Sequence, residues 1–545
     1  MKSLNRALLL IGAATLAVTI PAIAQNRDAP ESLLPEGFND PGNLPPPEPK
    51  QTQPSRPARP GAAPAQSQRA DQLIEELNRP VEAEIDPLGG PRPTNYFSIP
   101  VGASRPTDIV GILQPGNFGL APNAFGGDGG AFRAALMRGL DAPVASRWAS
   151  ILLRRALLSR LSAPAGIRPV NWVAERADLL LRMGEADAAR MLVQSVDTDD
   201  YTPRMIDVAA RAALANADPS ALCPLTGPAR AGSSSVSWVL SEAMCAALEA
   251  EPARASALID QARQRGAGGI DLALAEKVIG ASGETQRAAN VVWEGVPSLD
   301  AWRLGLASAT GAEIPAPLMA RADSRMQAWF ARAPMMAPEV RAQAAEVAAT
   351  LGVFSSRSLV ELHSLIFDRT DPAERADSVG ARLRDAWIAG DAGERVAAMR
   401  RLWEETPVAP ARYGRLVLTA GAAARIEPSA DYPADLANLI ASMLAAGLDR
   451  QAARWSAVVE DAGDQRAWAM LTVASPERTA ADGDRVEDYV SGQPRRRGEL
   501  LVASLAGLGR LQGDELTRRV GLDLVRRDPW SDALDAAARS RQPGL

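Results

Sequence analysis

From Phe132 onward, apolar residues recur at spacings of three and four, the period of a helix that buries one face. Ala145 to Leu161 is a clear instance: Trp148, Ile151, Leu152, Ala156 and the run from Leu158 to Leu161 make an apolar face, with Arg147, Arg154, Arg155 and Arg160 largely off it. The same period predicts helices over Thr202 to Leu214, Val236 to Ala250 and Pro252 to Arg265, where Pro252 suits a first helical turn. Before Phe132 the pattern differs. Gln68 to Asn78 reads as one short helix stopped by Pro80, and Asn95 to Ile99 and Asp108 to Leu113 read as short strands or extended arms. The glycines between Gly116 and Gly130 read as a flexible lead-in loop.

Residues 172–193, WVAERADLLLRMGEADAARMLV, hold two apolar stripes separated by Met183-Gly184-Glu185-Ala186-Asp187. Gly184 can take a positive φ and close the first helix, and the acidic residues suit the start of the second. Looser copies follow at 272–293 (Gly283-Glu284), 383–403 (Gly390-Asp391) and 435–459 (Gly447-Leu448-Asp449), with further hairpins over 344–366, hinged at Gly352, and 499–525, hinged near Gly509 and Gly513. Spacing between copies is uneven, with insertions such as 296–317 and 406–415. These hairpins resemble tetratricopeptide (TPR)-like repeats, although the Trp, Tyr and Pro landmarks of that consensus are out of register. The expected fold is all-α: an irregular TPR-like α-solenoid over residues 132–545, with sub-boundaries near 296–317 and 406–432. The resemblance implies a concave, partner-binding surface and no intrinsic chemistry.

The N-terminus carries a different message. Lys2 and Arg6, the apolar stretch Ala7 to Ile20, and Ala22-Ile23-Ala24 form a three-part secretory signal over residues 1–24, with cleavage expected between Ala24 and Gln25. The apolar run is short for a membrane span, so no integral membrane segment is expected after cleavage, and the expected location is periplasmic or secreted. Residues 25–66 form a Pro-rich disordered linker with eleven prolines from Pro30 to Pro64. Residues 67–131 form an N-terminal segment of short helix and extended, Gly-rich arms.

Composition narrows the chemistry. The chain of 545 residues has a formal net charge of −6, which argues against nucleic-acid binding. Only 4% of residues are aromatic, so the apolar mass is chiefly small and aliphatic, suited to close helix packing. The two cysteines, Cys223 and Cys245, are expected to form a structural disulfide in an oxidising compartment. The single histidine, His363, reads as a boundary residue of an amphipathic helix, and one histidine removes most zinc sites and most Ser-His-Asp arrangements. No Gly-x-Ser-x-Gly, His-Glu-x-x-His or EF-hand motif is present, and no metal or cofactor is expected. Gly126 to Gly130 lacks the Lys-Ser/Thr of a P-loop, and Asp128 would repel phosphate. Asp199-Asp200 and Glu404-Glu405 read as solvated turn residues, and Arg495-Arg496-Arg497 and Arg526-Arg527 as solvated, ion-paired faces. The eleven tryptophans read as interhelical core, since a sugar-binding groove would need several exposed on one face. Lytic transglycosylases also place helical superhelices in the periplasm. Their catalytic Glu-Ser pair has no counterpart in the C-terminal region here. The expected function is a non-enzymatic scaffold or adaptor that binds protein or cell-envelope partners. The alternative is a helical protein that binds or cleaves envelope polysaccharide.

Overall fold

A computed structural model describes residues 103–282, 289–406, 409–477 and 480–511, with the isolated positions 532 and 536. The secretory signal with its Ala24–Gln25 cleavage point, the linker, the 68–78 helix, the 95–99 strand, Gly283-Glu284, Gly513 and Arg526-Arg527 lie outside the described residues. Within them the chain is all-α, apart from a two-residue antiparallel ribbon that pairs Ile109–Val110 with Leu161–Ser162. Buried residues from Val110 to Leu505 join in one continuous core.

Local chemistry sets the helix ends. Ser146, Thr202, Asp300, Ser355 and Asp391 each accept a backbone N–H two or three positions into the helix that follows, satisfying donors a first turn leaves free. Pro169, Pro203, Pro252 and Pro338 open helices, where a missing N–H costs nothing. Four hinge glycines marked by the repeat pattern share one turn geometry. Gly184, Gly352, Gly447 and Gly509 have φ of 85°, 89°, 77° and 67°. In each, the next residue donates its N–H to the carbonyl five positions back: Glu185 to Leu180, Val353 to Ala348, Leu448 to Met443 and Arg510 to Leu505.

Other expectations are corrected. Gly390 does not close a helix in this way: Val379–Ile388 ends at an extended Ala389, and Asp391 caps the next helix. Residues 289–293 are not helical, so the second arm expected at 272–293 does not form there. The stretch 296–317 is not simply an insertion. It holds the helix Ala301–Thr310, whose Trp302 is buried and which packs back on Pro203–Ala215. That crossing needs Gly305: a Cβ there would lie 2.5 Å from the Leu214 carbonyl oxygen.

Further along, Pro338–Leu351 packs on Ser324–Ala331, Ser356–Arg369 and Ala409–Ala423. The series continues through Leu436–Ala445 and Gln465–Ala474 to Arg495–Gly507, each against the one before.

The helix Arg147–Leu158 is enclosed almost all round, with only Trp148 and Arg155 exposed. Ile151 and Leu158 are buried and Arg155 is exposed, as the pattern predicts, but two positions are exchanged: Arg147 is buried and Trp148 is 45% exposed. Arg147 donates to the carbonyls of Ala445 (3.1 Å), Phe354 (3.0 Å) and Ala349, so it caps the C-terminal ends of two helices remote in sequence. Arg154 reaches the carbonyl of Gly352 (3.0 Å) and the Glu185 carboxylate (2.6 Å). Trp148 lies over Gly447, where a Cβ would meet its ring at 2.9 Å. Thus three of the shared turns, at Gly184, Gly352 and Gly447, gather around one N-terminal helix. The same device recurs elsewhere. Arg176 donates to the carbonyls of Leu157, Ser159 and Val110, and Arg510 to those of Thr472, Val473 and Ser475. Burial pushes the Arg176 guanidinium down to about 9.

Candidate functional site

Beside the paired Arg303 and Asp271, two larger groups of buried charge stand out from the aliphatic interior. The first joins Glu175 and Asp178, on Pro169–Arg182, to Arg204, Asp207 and Arg211, on Pro203–Ala215. Arg211 lies 2.6 Å from Asp178 and 3.0 Å from Asp207. Arg204 lies 3.2 Å from Glu175 and 3.4 Å from Asp178, and Arg138 adds a contact to Glu175 at 3.1 Å. Burial alone would raise the Asp178 carboxyl, but Arg211, Arg204 and Arg182 outweigh it and hold the group below its usual value. Asp207 moves the other way: burial raises it despite Arg211 and Arg204, and the Asp178 charge adds to the rise. The spacing signal was present, with charges three and four apart inside otherwise apolar helices. Sequence alone does not show that the two sets face each other.

This network locks two helices together. A depressed carboxyl contributes stability above its unfolded pKa, and that contribution disappears as pH falls through the folded value. For Asp178 the loss therefore runs downward from the ordinary carboxylate range as pH falls. Asp178→Asn should cost about 3 kcal/mol at neutral pH by leaving buried arginines uncompensated. It should also flatten the acid limb of a stability–pH curve. Urea melts from pH 7 to pH 3 check this, and parallel acid limbs would contradict it.

The second group contains the lone histidine. His363 is buried at 3% exposure, not at a boundary as its helix pattern suggested. Its Nε2 stands 3.7 Å from Glu346 Oε1, which also lies 3.1 Å from Arg415 Nη2. The three residues come from Pro338–Leu351, Ser356–Arg369 and Ala409–Ala423. Gly380 allows the next helix to approach, since a Cβ there would sit 2.9 Å from the His363 carbonyl oxygen. The trio joins three helices.

Cys223 and Cys245 come together, with sulfurs 2.11 Å apart and Cα atoms 5.4 Å apart. They link the start of Cys223–Gly232 to Val236–Leu248. A bond across 22 positions is worth about 3 kcal/mol through loop entropy. Non-reducing peptide mapping should recover the pair, and a Cys223→Ser/Cys245→Ser double variant should lose about that much stability. Free thiols in protein isolated without reductant would contradict this.

Trp172, Trp302, Trp403 and Trp455 are each 1% exposed, in the interhelical core. The Gly126–Gly130 loop is tied by its backbone to 164–167: Ala165 donates to Gly127, and Gly130 donates to Ala165. A Cβ at Gly130 would lie 2.5 Å from Ile167, so this loop is a packed connection. Asp199 and Asp200 sit in a short 3-10 turn. Glu404 and Glu405 border an open cleft of about 440 Å³ with Asp377, Asp385, Arg382 and Arg401. Arg382 pairs with Glu405 at 2.5 Å. Among the described residues, no group of three or more His, Cys, Asp or Glu side chains is placed to hold a metal ion, and no helix is long and apolar enough to cross a membrane. Compared with protein-family models, curated proteins and solved structures, the chain matches none.

Proposed function

We propose that the chain is an exported, non-catalytic scaffold: an irregular TPR-like α-solenoid that binds protein or cell-envelope partners through its helical surface. The observation that carries this reading is the repeated turn. Helical hairpins closed by the same bonding pattern at Gly184, Gly352 and Gly447 are the unit from which such surfaces are built. The chain departs from a regular array in two ways, since Ala301–Thr310 folds back on Pro203–Ala215 and Arg147–Leu158 is inserted among the turns. The polysaccharide alternative asks for exposed tryptophans along a groove, and the burial of Trp172, Trp302, Trp403 and Trp455 favours the scaffold.

Crosslinking in intact cells, followed by affinity capture of the mature protein, tests the reading. A reproducible protein partner is the expected result. Captured glycan without a stable protein partner would move the function to the polysaccharide class. N-terminal analysis of the captured protein should begin at Gln25, and an intact leader would overturn export as a mature, cleaved protein.

A further inference from the structure

Near the end of the described chain, four helices follow one another: Ala409–Ala423, Leu436–Ala445, Gln465–Ala474 and Arg495–Gly507. Arg412, Arg466 and Arg497 occupy the N-terminal turns of the first, third and fourth. None has a carboxylate partner among the described residues. Arg466 reaches only the Asn438 side-chain oxygen, and Arg497 only that of Gln493, each at 3.5 Å. Their neighbour Arg495 is different, neutralised by Glu499 at 2.7 Å. Partial burial, then the like charges of Arg412 and Arg497, depress the Arg466 guanidinium against a smaller pull from Asp464. The Asp464 side chain is engaged as a cap, accepting the backbone N–H of Arg466 and of Ala467.

These placements work against the protein's own stability. Helix N-terminal turns carry partial positive charge and ordinarily favour carboxylates. None of these three first turns holds an acidic residue. In a chain of net charge −6, a local excess of unneutralised guanidinium is a departure that an external anion would relieve. The three cations stand on three separate helices of one packed series, and the charges of Arg412 and Arg497 both act on Arg466, so the excess is shared among several side chains, which suits a ligand with several carboxylates better than a single small ion. The patch is also partly apolar. Leu500 is 49% exposed and lies one helical turn from Arg497.

We propose that Arg412, Arg466 and Arg497, with Leu500 beside them, form a docking patch for an acidic, leucine-bearing stretch of a partner polypeptide. The proposal rests on the scaffold reading and names the surface and the partner chemistry. Leu500 is what favours a polypeptide over a hydrophilic glycan. Arginine suits the task because its planar fork pairs carboxylates bidentately.

The test uses the full-length mature protein and a fluorescein-labelled peptide of repeated Glu-Glu-Leu, followed by anisotropy. Binding should weaken about ten-fold in Arg466→Glu and in Arg497→Glu, and should weaken as salt is raised. Arg321→Glu makes the same charge change outside these helices and should bind as wild type. The Arg466, Arg497 and Arg321 side chains all reach solvent, so the variants should fold, and circular dichroism checks that. Absence of binding at low salt, or an equal loss in Arg321→Glu, would overturn the patch. So would tighter patch-dependent binding of heparin than of the peptide, which would assign the patch to a polyanionic glycan. Failure here is separable from failure of the scaffold reading. A cellular partner still captured by Arg466→Glu and Arg497→Glu leaves the scaffold standing without this patch. Peptide binding with no partner captured in cells leaves the patch standing and removes the scaffold.

Discussion

Replacing Arg147 by Met should destabilise the protein by about 4 kcal/mol and split its unfolding into separate steps. The side chain is buried and donates to carbonyls at Ala349, Phe354 and Ala445, the last 298 residues away. Methionine fills much of the same volume but supplies no donor, so three carbonyls near helix C-termini lose this partner. Ala349 keeps the Gly352 N–H at 3.2 Å, but a buried acceptor left without any donor costs about 1–3 kcal/mol. The loss falls where two remote parts of the chain meet the N-terminal helix, so their cooperativity should suffer along with the total. Arg147→Lys should lie between the two, because a single ammonium cannot reproduce the fork. Urea melts followed by circular dichroism, with hydrogen exchange read at 349–354 and 443–448, are the measurements. A single transition of unchanged midpoint would show that Arg147 does not join these parts.

The second large effect is expected at Trp403. Its indole N–H donates to Thr419 Oγ1 at 2.9 Å, Thr419 lies 2.8 Å from Ser442 Oγ, and Ser442 donates to the Leu416 carbonyl at 2.7 Å. This relay crosses Ala392–Glu404, Ala409–Ala423 and Leu436–Ala445, and both hydroxyl residues are fully buried. Trp403→Ala should cost about 4 kcal/mol, from lost burial plus the cavity left behind. Trp403→Phe should cost about 1–2 kcal/mol, since most of the ring remains and one buried hydrogen bond is lost. The pair of variants also bears on function. A core tryptophan changes stability, whereas a ligand platform would change affinity for glycan with stability intact, and that second outcome would undo the structural role assigned to Trp403.

Legibility in the sequence varied with the range of the interaction involved. The hinge glycines at 184, 352 and 447 could be read because a helix terminus is local: the αL residue and its bonds span six positions. The Cys223–Cys245 pairing was legible by elimination, with only two cysteines present. Residues 289–293 were misread because a few apolar residues beside a suspected hinge resemble a helix start, and nothing in the local sequence distinguishes an extended connection. His363 was assigned to a boundary because its own helix is amphipathic. Its burial comes from Ala409–Ala423 and from the approach that Gly380 allows.

The sequence by itself determined the all-α class, the capped and glycine-closed helix ends, and the small, aliphatic makeup of the interior. All of these follow from residue propensities and periods a few positions long. Only the tertiary structure decided that Arg147 is inside while Trp148 is partly out, that Glu175 and Asp178 meet Arg204 and Arg211, and that Arg412, Arg466 and Arg497 have no carboxylate partner among the described residues. The physical reason is common to the three. A long guanidinium side chain is stable in the interior or at the surface depending on which carbonyls and carboxylates reach it, and those partners arrive from elements tens to hundreds of residues away.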